Sequence, residues 1–467
     1  MPSPEQPLPT KGVVYLSLQR LASYIPFCAD FGPFNLGVMH RACEVIKDLL
    51  RTPRLAHAKI VCFTSTETAD ITNAMFLLGA FLVVHLDVTP EQAWICFREY
   101  ASMPYRDATW SSSSFDLTLQ HCWQGIARAL QAQLYCPENF DMRQYFFYDH
   151  PRNGDMHEVV AGKFFAFKGP TDKQQRHYTR RPGDYLDVFH AKGIKDVVRL
   201  NEEHYDAATF TSAGFSHHDL VFPDCTTPPD AIADRFLRLA EQTSSPMAVH
   251  CLAGLGRTGT LIGLYMMKHI KFNAEECIAW LRIVRPGSII GPQQQYLKDQ
   301  EKRMHALGRS GASGLGLDSR ADGSVCTNVP RSSRESSGAC SADLAQQVAR
   351  GMGLRDQAKR RKSRQSHNGD MGLSACPGSV PFEPAPTLQG KTAVHTRPYT
   401  GRSERERGGR EREEREREQE RTKTTPGDLR MGVAMVKCRD VAGDWAIYLR
   451  NGHCRSLLTE LLSTGAR

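Results

Sequence analysis

The sequence contains no Cys-x-x-Cys pair and no cysteine–histidine run at zinc-finger spacing, although it holds 14 cysteines in 467 residues. Cysteines scattered in this way argue against a disulfide framework and a structural zinc, and are expected of a reduced, intracellular chain. A long hydrophobic run is also missing. The longest apolar stretch, residues 74–86, is too short to span a bilayer and reads as a core helix running into a strand. No N-terminal signal pattern is visible, so no membrane partner is expected. Nor does one charge dominate: the formal net charge is +8, much of it late in the chain, which gives no reason to expect nucleic acid as a required partner.

What is present is a 40% hydrophobic share, unevenly spread. Residues 10–305 alternate apolar segments, aromatics and turn signals, whereas Ser, Gly and Arg dominate from residue 306 onward. Within the globular region the same order of elements occurs twice. Lys59-Ile60-Val61-Cys62-Phe63 reads as a strand, followed by a polar loop, an apolar helix over residues 73–81, and Thr89-Pro90-Glu91-Gln92-Ala93 as the start of another helix. Farther on, a strand ending near His250 leads through a loop to an apolar helix and then to Asn273-Ala274-Glu275-Glu276, again a capped helix start. The pattern predicts two copies of one α/β fold, over residues 10–142 and 157–305, joined by a link over 143–156 that turns at Pro151 and Asn153-Gly154.

The second copy carries His250-Cys251-Leu252-Ala253-Gly254-Leu255-Gly256-Arg257-Thr258-Gly259 between its strand and its helix. Loop N–H groups and a helix N-terminus converge there on one point, a cradle for an anion. A thiol at that point loses its proton readily, because the thiolate is the form the amides and the Arg257 guanidinium stabilise, and it is then a competent nucleophile. Arg257 can hold two oxygens of a phosphoryl group with its planar fork. The Thr258 hydroxyl is placed to donate to the thiolate as it leaves. This run resembles the signature of the cysteine-based protein phosphatases, the tyrosine and dual-specificity superfamily. The first copy has Thr64-Ser65-Thr66-Glu67-Thr68 at the matching place, without the glycines or the arginine, and is expected to be inert.

Two acids upstream compete for the role of proton donor. Asp224, in the loop Phe222-Pro223-Asp224-Cys225-Thr226-Thr227-Pro228-Pro229, leads; Asp219, in Ser216-His217-His218-Asp219, is the alternative. The adjacent His217, His218 and Asp219 would point to alternating faces of a strand, so a shared metal ion is not expected. Beyond the catalytic helices, Gln293 and Gln294 in Pro292-Gln293-Gln294-Gln295 could hold a water beside a phosphoenzyme or cap the helix that begins there, and the sequence leaves both readings open.

The resemblance narrows when distant segments are combined. Ala213-Gly214-Phe215-Ser216-His217-His218-Asp219-Leu220, Asp224 with Thr226-Thr227-Pro228, the cysteine loop, and Arg285-Pro286-Gly287-Ser288-Ile289-Ile290-Gly291-Pro292-Gln293-Gln294-Gln295 resemble the cell-division-cycle-fourteen (mitotic-exit) family. Ala29-Asp30-Phe31-Gly32-Pro33-Phe34-Asn35-Leu36-Gly37 and Arg106-Asp107-Ala108 resemble its first domain. The resemblance implies two tandem dual-specificity-phosphatase-like domains, the first for substrate recognition. It also implies phosphorylated protein substrates with Ser-Pro sites and a nearby Lys or Arg, action in the nucleus and cytoplasm, and no cofactor. Carried over by position, Cys251 is the nucleophile, residues 252–257 the phosphate-binding loop, Asp224 the general acid, and Gln293 and Gln294 the water-positioning segment. The family's acidic substrate groove maps to Phe146, Asp149 and Asp155, so one carboxylate is replaced. Leu252 stands where the family has Lys, and Pro223-Asp224-Cys225 replaces Ala-Asp-Gly. Phosphoinositide phosphatases and RNA 5′-triphosphatases share the loop, but the former carry Lys at the positions of Leu252 and Leu255, and the matched first domain argues against the latter.

The tail, residues 306–467, is expected to be largely disordered. It contains the basic cluster Lys359-Arg360-Arg361-Lys362-Ser363-Arg364, an Arg/Glu run over residues 402–421, and a more apolar end with Trp445-Ala446-Ile447-Tyr448-Leu449.

Overall fold

Four apolar residues in succession after Lys59 suit a strand buried on both faces. In the computed structural model, which describes residues 12–26, 29–109, 113–172 and 180–312 with two short strands at 438–439 and 445–449, they form β2 (Lys59–Phe63), flanked in parallel by β1 (Val13–Ser17). Helix Thr68–His85 packs on helices Leu36–Arg51 and Leu119–Gln131. By length and hydropathy it could cross a bilayer, yet 72% of it is buried inside the protein. Gly79 makes this packing possible: a Cβ there would lie 2.1 Å from the Trp123 indole, whose Nε1 donates to Phe76 O at 3.2 Å. The strand expected after this helix does not form. Both Leu86 and Val88 N–H return to Leu82 O, and the chain turns at Asp87 with φ 51°.

The joining segment is helical rather than a simple turn. Helix Met142–Asp149 is capped by Asp141, which accepts from Gln144 N, and a 3₁₀ turn Pro151–Asn153 follows, as Pro151 foretold. Then come β3 (Met156–Val160), β4 (Phe164–Lys168), β5 (Asp196–Arg199), β6 (Ser216–Asp219) and β7 (Met247–Cys251). Their order is β3-β4-β7-β5-β6, with β3 antiparallel and the others parallel. The central strand β7 delivers Cys251 to the carboxyl end of the sheet, where α/β folds bind ligands. Helix Gly256–Tyr265 follows the loop directly. Thr89 and Asn273 each make the capping box their sequences predicted.

The tail departs from expectation at both ends. Helix Pro292–Ala312 runs past residue 305, and β8 (Cys438–Arg439) and β9 (Trp445–Leu449) join the first sheet, giving the order β1-β2-β9-β8. Strand β9 is antiparallel to β2, with Ile60 opposite Leu449 and Phe63 opposite Ala446. The basic cluster at 359–364 and the Arg/Glu run lie outside the described residues.

The two halves share one apolar core. Helix Leu119–Gln131 of the first lies on helix Ala274–Val284 of the second, closely enough that a Cβ at Gly125 would come 2.9 Å from Glu276 O. A shared core predicts one cooperative unfolding transition for both halves. Gly125→Val should lower its stability by about 1–3 kcal/mol, which calorimetry of the full chain would measure, with two separate transitions counting against the shared core.

Candidate active site

The loop after β7 is shaped by what holds its carbonyls. Gly169 N donates to Leu252 O at 3.2 Å. Arg285 donates through Nη2 to Ala253 O at 2.9 Å and through Nε to Gly254 O at 2.7 Å. A planar trans peptide points its N–H opposite to its carbonyl, so three outward-held carbonyls turn the N–H groups of Ala253, Gly254 and Leu255 toward the interior of the loop. Gly254 is required here: its φ is +67°, and a Cβ would sit 1.8 Å from Phe167 O. Leu255 makes no side-chain cap on helix Gly256–Tyr265, which leaves the first-turn N–H groups aimed at the same point.

Arg285 is itself fixed from across the fold. Its Nη1 donates to Asp155 O at 2.9 Å and lies 2.9 Å from Asp155 Oδ1. The same nitrogen donates to His157 Nδ1 at 3.0 Å, and His157 Nε2 faces Asp149 Oδ1 at 3.2 Å.

Cys251 is 3% exposed at the floor of the loop, and the Arg257 side chain closes one wall with 1% exposure. Arg257 Nη1 donates to Phe222 O at 2.8 Å and to Leu200 O at 3.3 Å, while Nη2 lies 3.0 Å from Asp224 Oδ1. Two buried donors, Arg257 Nε and Thr258 Oγ1, have no partner among the described residues. Buried donors are nearly always satisfied, so this pair marks a place built for an acceptor from outside the chain. The two candidate acids sit differently. Asp219 is engaged by Arg199 through two bonds, 2.6 and 3.1 Å, whereas Asp224 reaches Arg257 from an exposed loop. The donor set suits a tetrahedral dianion, at the end of the strand that carries Cys251 and within reach of the Asp224 carboxylate on Arg257.

Behind the cysteine lies a chain of rings. His250 Nδ1 meets Cys251 O at 3.0 Å, its Nε2 meets Tyr205 Oη at 2.8 Å, and Tyr205 Oη meets His217 Nε2 at 2.9 Å. His218 turns away to Asp196 Oδ1 at 2.9 Å, so the neighbouring histidines serve different partners. Burial, opposed by the bond to the Cys251 carbonyl, takes the His250 pKa down to about 3. Burial, opposed by Asp219, takes that of His217 down to about 4.

The remaining expected residues are engaged within the protein. Asp149 and Asp155, mapped to the family's acidic groove, are 6% and 5% exposed, turned toward His157 and Arg285. Phe146, at the third groove position, packs on Gly37, where a Cβ would lie 2.7 Å from its ring. Gln293 and Gln294 are both fully buried with their amides on protein partners: Gln293 on Ile290 N and Thr226 O, Gln294 on Arg282 and Gly291 O. Arg285 and Tyr205 went unassigned in the sequence. The only signal for Arg285 was its place in Arg285-Pro286-Gly287, and Tyr205 had none.

A family model described as "Dual specificity protein phosphatase, N-terminal half" matches residues 2–129, and another, "Polymorphic toxin system, DSP-PTPase phosphatase", matches residues 175–271. The chain is 42% identical over 311 residues to dual specificity protein phosphatase CDC14AB of Danio rerio, covering 65% of this chain and 51% of that one. It is 42% identical over 309 residues to CDC14A of Homo sapiens, covering 65% and 52%. With tyrosine-protein phosphatase CDC14 of Saccharomyces cerevisiae it shares 33% identity over 304 residues, covering 62% and 55%. The chain thus spans about half the length of these curated relatives.

The His250 shift has a direction in pH. Below its unfolded pKa near 6.5 the unfolded chain takes up a proton at this ring that the folded chain refuses until about pH 3, so stability falls as pH drops through that window and is indifferent to this ring above it. Between pH 7 and pH 5 His250 alone should cost about 2 kcal/mol. Urea unfolding at the two pH values measures the loss, and a His250 ring signal that titrates near 6.5 in the folded chain would contradict it.

Proposed function

We propose that this chain, which belongs to the CDC14 family of dual-specificity phosphatases, hydrolyses phosphoserine, phosphothreonine and phosphotyrosine in proteins, Ser-Pro sites among them, through a phosphocysteine intermediate. The observation that carries the reading is the buried Arg257 guanidinium at the far end of the loop that Cys251 begins, with Asp224 Oδ1 at 3.0 Å from it and unpartnered donors at Arg257 Nε and Thr258 Oγ1. Cys251 Sγ attacks phosphorus in line, forming the S–P bond as the P–O bond to the substrate breaks. Arg257 and the loop amides hold the charge on the equatorial oxygens, and Asp224 gives its proton to the departing oxygen. Asp224, now a base, takes a proton from the water that attacks the phosphocysteine, which releases phosphate and restores the thiolate, eased by the Thr258 hydroxyl. A role in the cell cycle, exerted in the nucleus and cytoplasm, belongs to the same proposal and rests on the family.

Phosphate release from phospho-Ser-Pro and phospho-Tyr peptides, with EDTA present, tests the reading. Turnover should survive the chelator. Cys251→Ser should abolish it while the variant still captures phosphopeptide, and Asp224→Asn should lower kcat about 10²–10³-fold. Because Asp149 and Asp155 are turned inward, a Lys three positions after the phosphoserine should change kcat/KM by no more than about fivefold. No turnover of any peptide by folded protein would overturn the proposal.

A further inference from the structure

The loop that carries Asp224 is exposed from Pro223 to Thr226. Two of its hydrogen bonds are internal: Cys225 N donates to Asp224 Oδ1 at 3.0 Å, and Thr226 Oγ1 donates to Pro223 O at 2.8 Å. These shape the turn without placing it over the phosphate loop. Placement comes from either side. Arg257 holds Phe222 O on one flank, and Gln293 Nε2 donates to Thr226 O at 3.0 Å on the other.

Gln293 is well situated for such a task. It is fully buried at the start of helix Pro292–Ala312, and its Oε1 accepts from Ile290 N at 3.1 Å. Its amide lies against the beginning of the catalytic helix, where a Cβ at Gly256 would meet Gln293 Oε1 at 2.8 Å and Nε2 at 3.2 Å. One side chain therefore touches the acid loop, the phosphate loop and the turn before its own helix. That turn is anchored by the first half of the chain. Gly291 N, the next amide after Ile290, donates to Asp107 Oδ2 at 2.7 Å. Asp107 is 3% exposed and its other oxygen accepts from Ser113 Oγ at 3.2 Å.

We infer that Gln293 is a positioning residue for the general acid, latching the Asp224 loop over the phosphate loop, and that Asp107 of the catalytically inert half sets the latch. The inference rests on the assignment of Asp224 as the acid. It gives the first half a role in the chemical step: the half without a nucleophile fixes the turn from which the proton donor's loop is held. It also reassigns the glutamine. One of its two amide N–H groups is directed at Thr226 O, so the side chain is engaged with the backbone of the acid loop.

A proton donor matters most when the leaving oxygen is a poor leaving group, such as a serine alkoxide, and least for p-nitrophenolate. In the full chain, Gln293→Met keeps the volume and removes the donor. It should lower kcat/KM for a phospho-Ser-Pro peptide about fivefold to tenfold and that for p-nitrophenyl phosphate less than about twofold. Hydrogen exchange at the amides of residues 222–227 should rise in the same variant. Asp107→Ala should reproduce both effects in weaker form, and Asp107→Asn, which keeps an acceptor for Gly291 N, should restore them. Equal losses in kcat on both substrates, with kcat/KM kept and phosphocysteine accumulating, would make Gln293 a water holder and overturn the inference. Equal losses with a lowered unfolding temperature and unchanged exchange at 222–227 would reduce it to a packing residue. If the unaltered chain hydrolyses neither substrate, the phosphatase proposal fails by itself, and the exchange measurement alone decides whether Gln293 holds the loop.

Discussion

A loop can bind an anion with backbone N–H groups only if something else takes its carbonyls. Here that burden falls mainly on Arg285, which donates to Ala253 O and Gly254 O and is held by Asp155 and His157. The arrangement is costly in isolation, because a guanidinium with 1% exposure has lost its water. It is stable because the carbonyls, a carboxylate and an imidazole replace that water at hydrogen-bond distance. The inward amides, the seat of Cys251 and the start of the catalytic helix all follow from this one cation. An ammonium could not take its place, since the bonds radiate from the edges of a rigid plane.

The same solution recurs around the site. Arg199, Arg257 and Arg282 are each at most 4% exposed, and each donates to backbone carbonyls: Tyr205 O, Phe222 O, and the pair Ser288 O and Ile289 O. Every one of these acceptors lies in a loop around the catalytic centre, so buried cations set the loop conformations. Arg257 differs from the rest in its place on the loop that Cys251 begins, where its Nε and the neighbouring Thr258 hydroxyl are left unpartnered together. Arg282 Nη1 is also without a partner among the described residues, so what sets Arg257 apart is the unpartnered Thr258 hydroxyl next to it.

The loop after β7 was legible because its pattern is written in ten consecutive residues between a strand and a helix. The capping boxes at Thr89 and Asn273 were legible for the same reason, since each is a short-range pattern. The fate of a lone carboxylate was not. Asp155 and Asp149 look alike in sequence to groove residues, and only the folding of Arg285 and His157 over them, some 130 positions apart in one case, turns them inward. The partners of the glutamines were out of reach for a related cause: an amide can hold water or backbone equally well, and Thr226 O, which accepts from Gln293, lies 67 positions away. The strand expected at the end of the apolar run 74–86 did not form because tertiary burial carried the helix on to His85, which a run of apolar residues cannot distinguish from a buried strand.

Strand β9 bears on how the protein is made. It occupies the open edge of β2, yet it is translated nearly four hundred residues after it. At ribosomal speeds that separation lasts on the order of half a minute. During this interval the first sheet exists with one row of backbone donors and acceptors unpaired, beside the apolar residues Ile60, Val61, Cys62 and Phe63. Such an edge is a template for whatever extended segment arrives first, including the same edge of another nascent chain on the same message. The order of synthesis thus leaves this edge of β2 without its partner until β9 arrives.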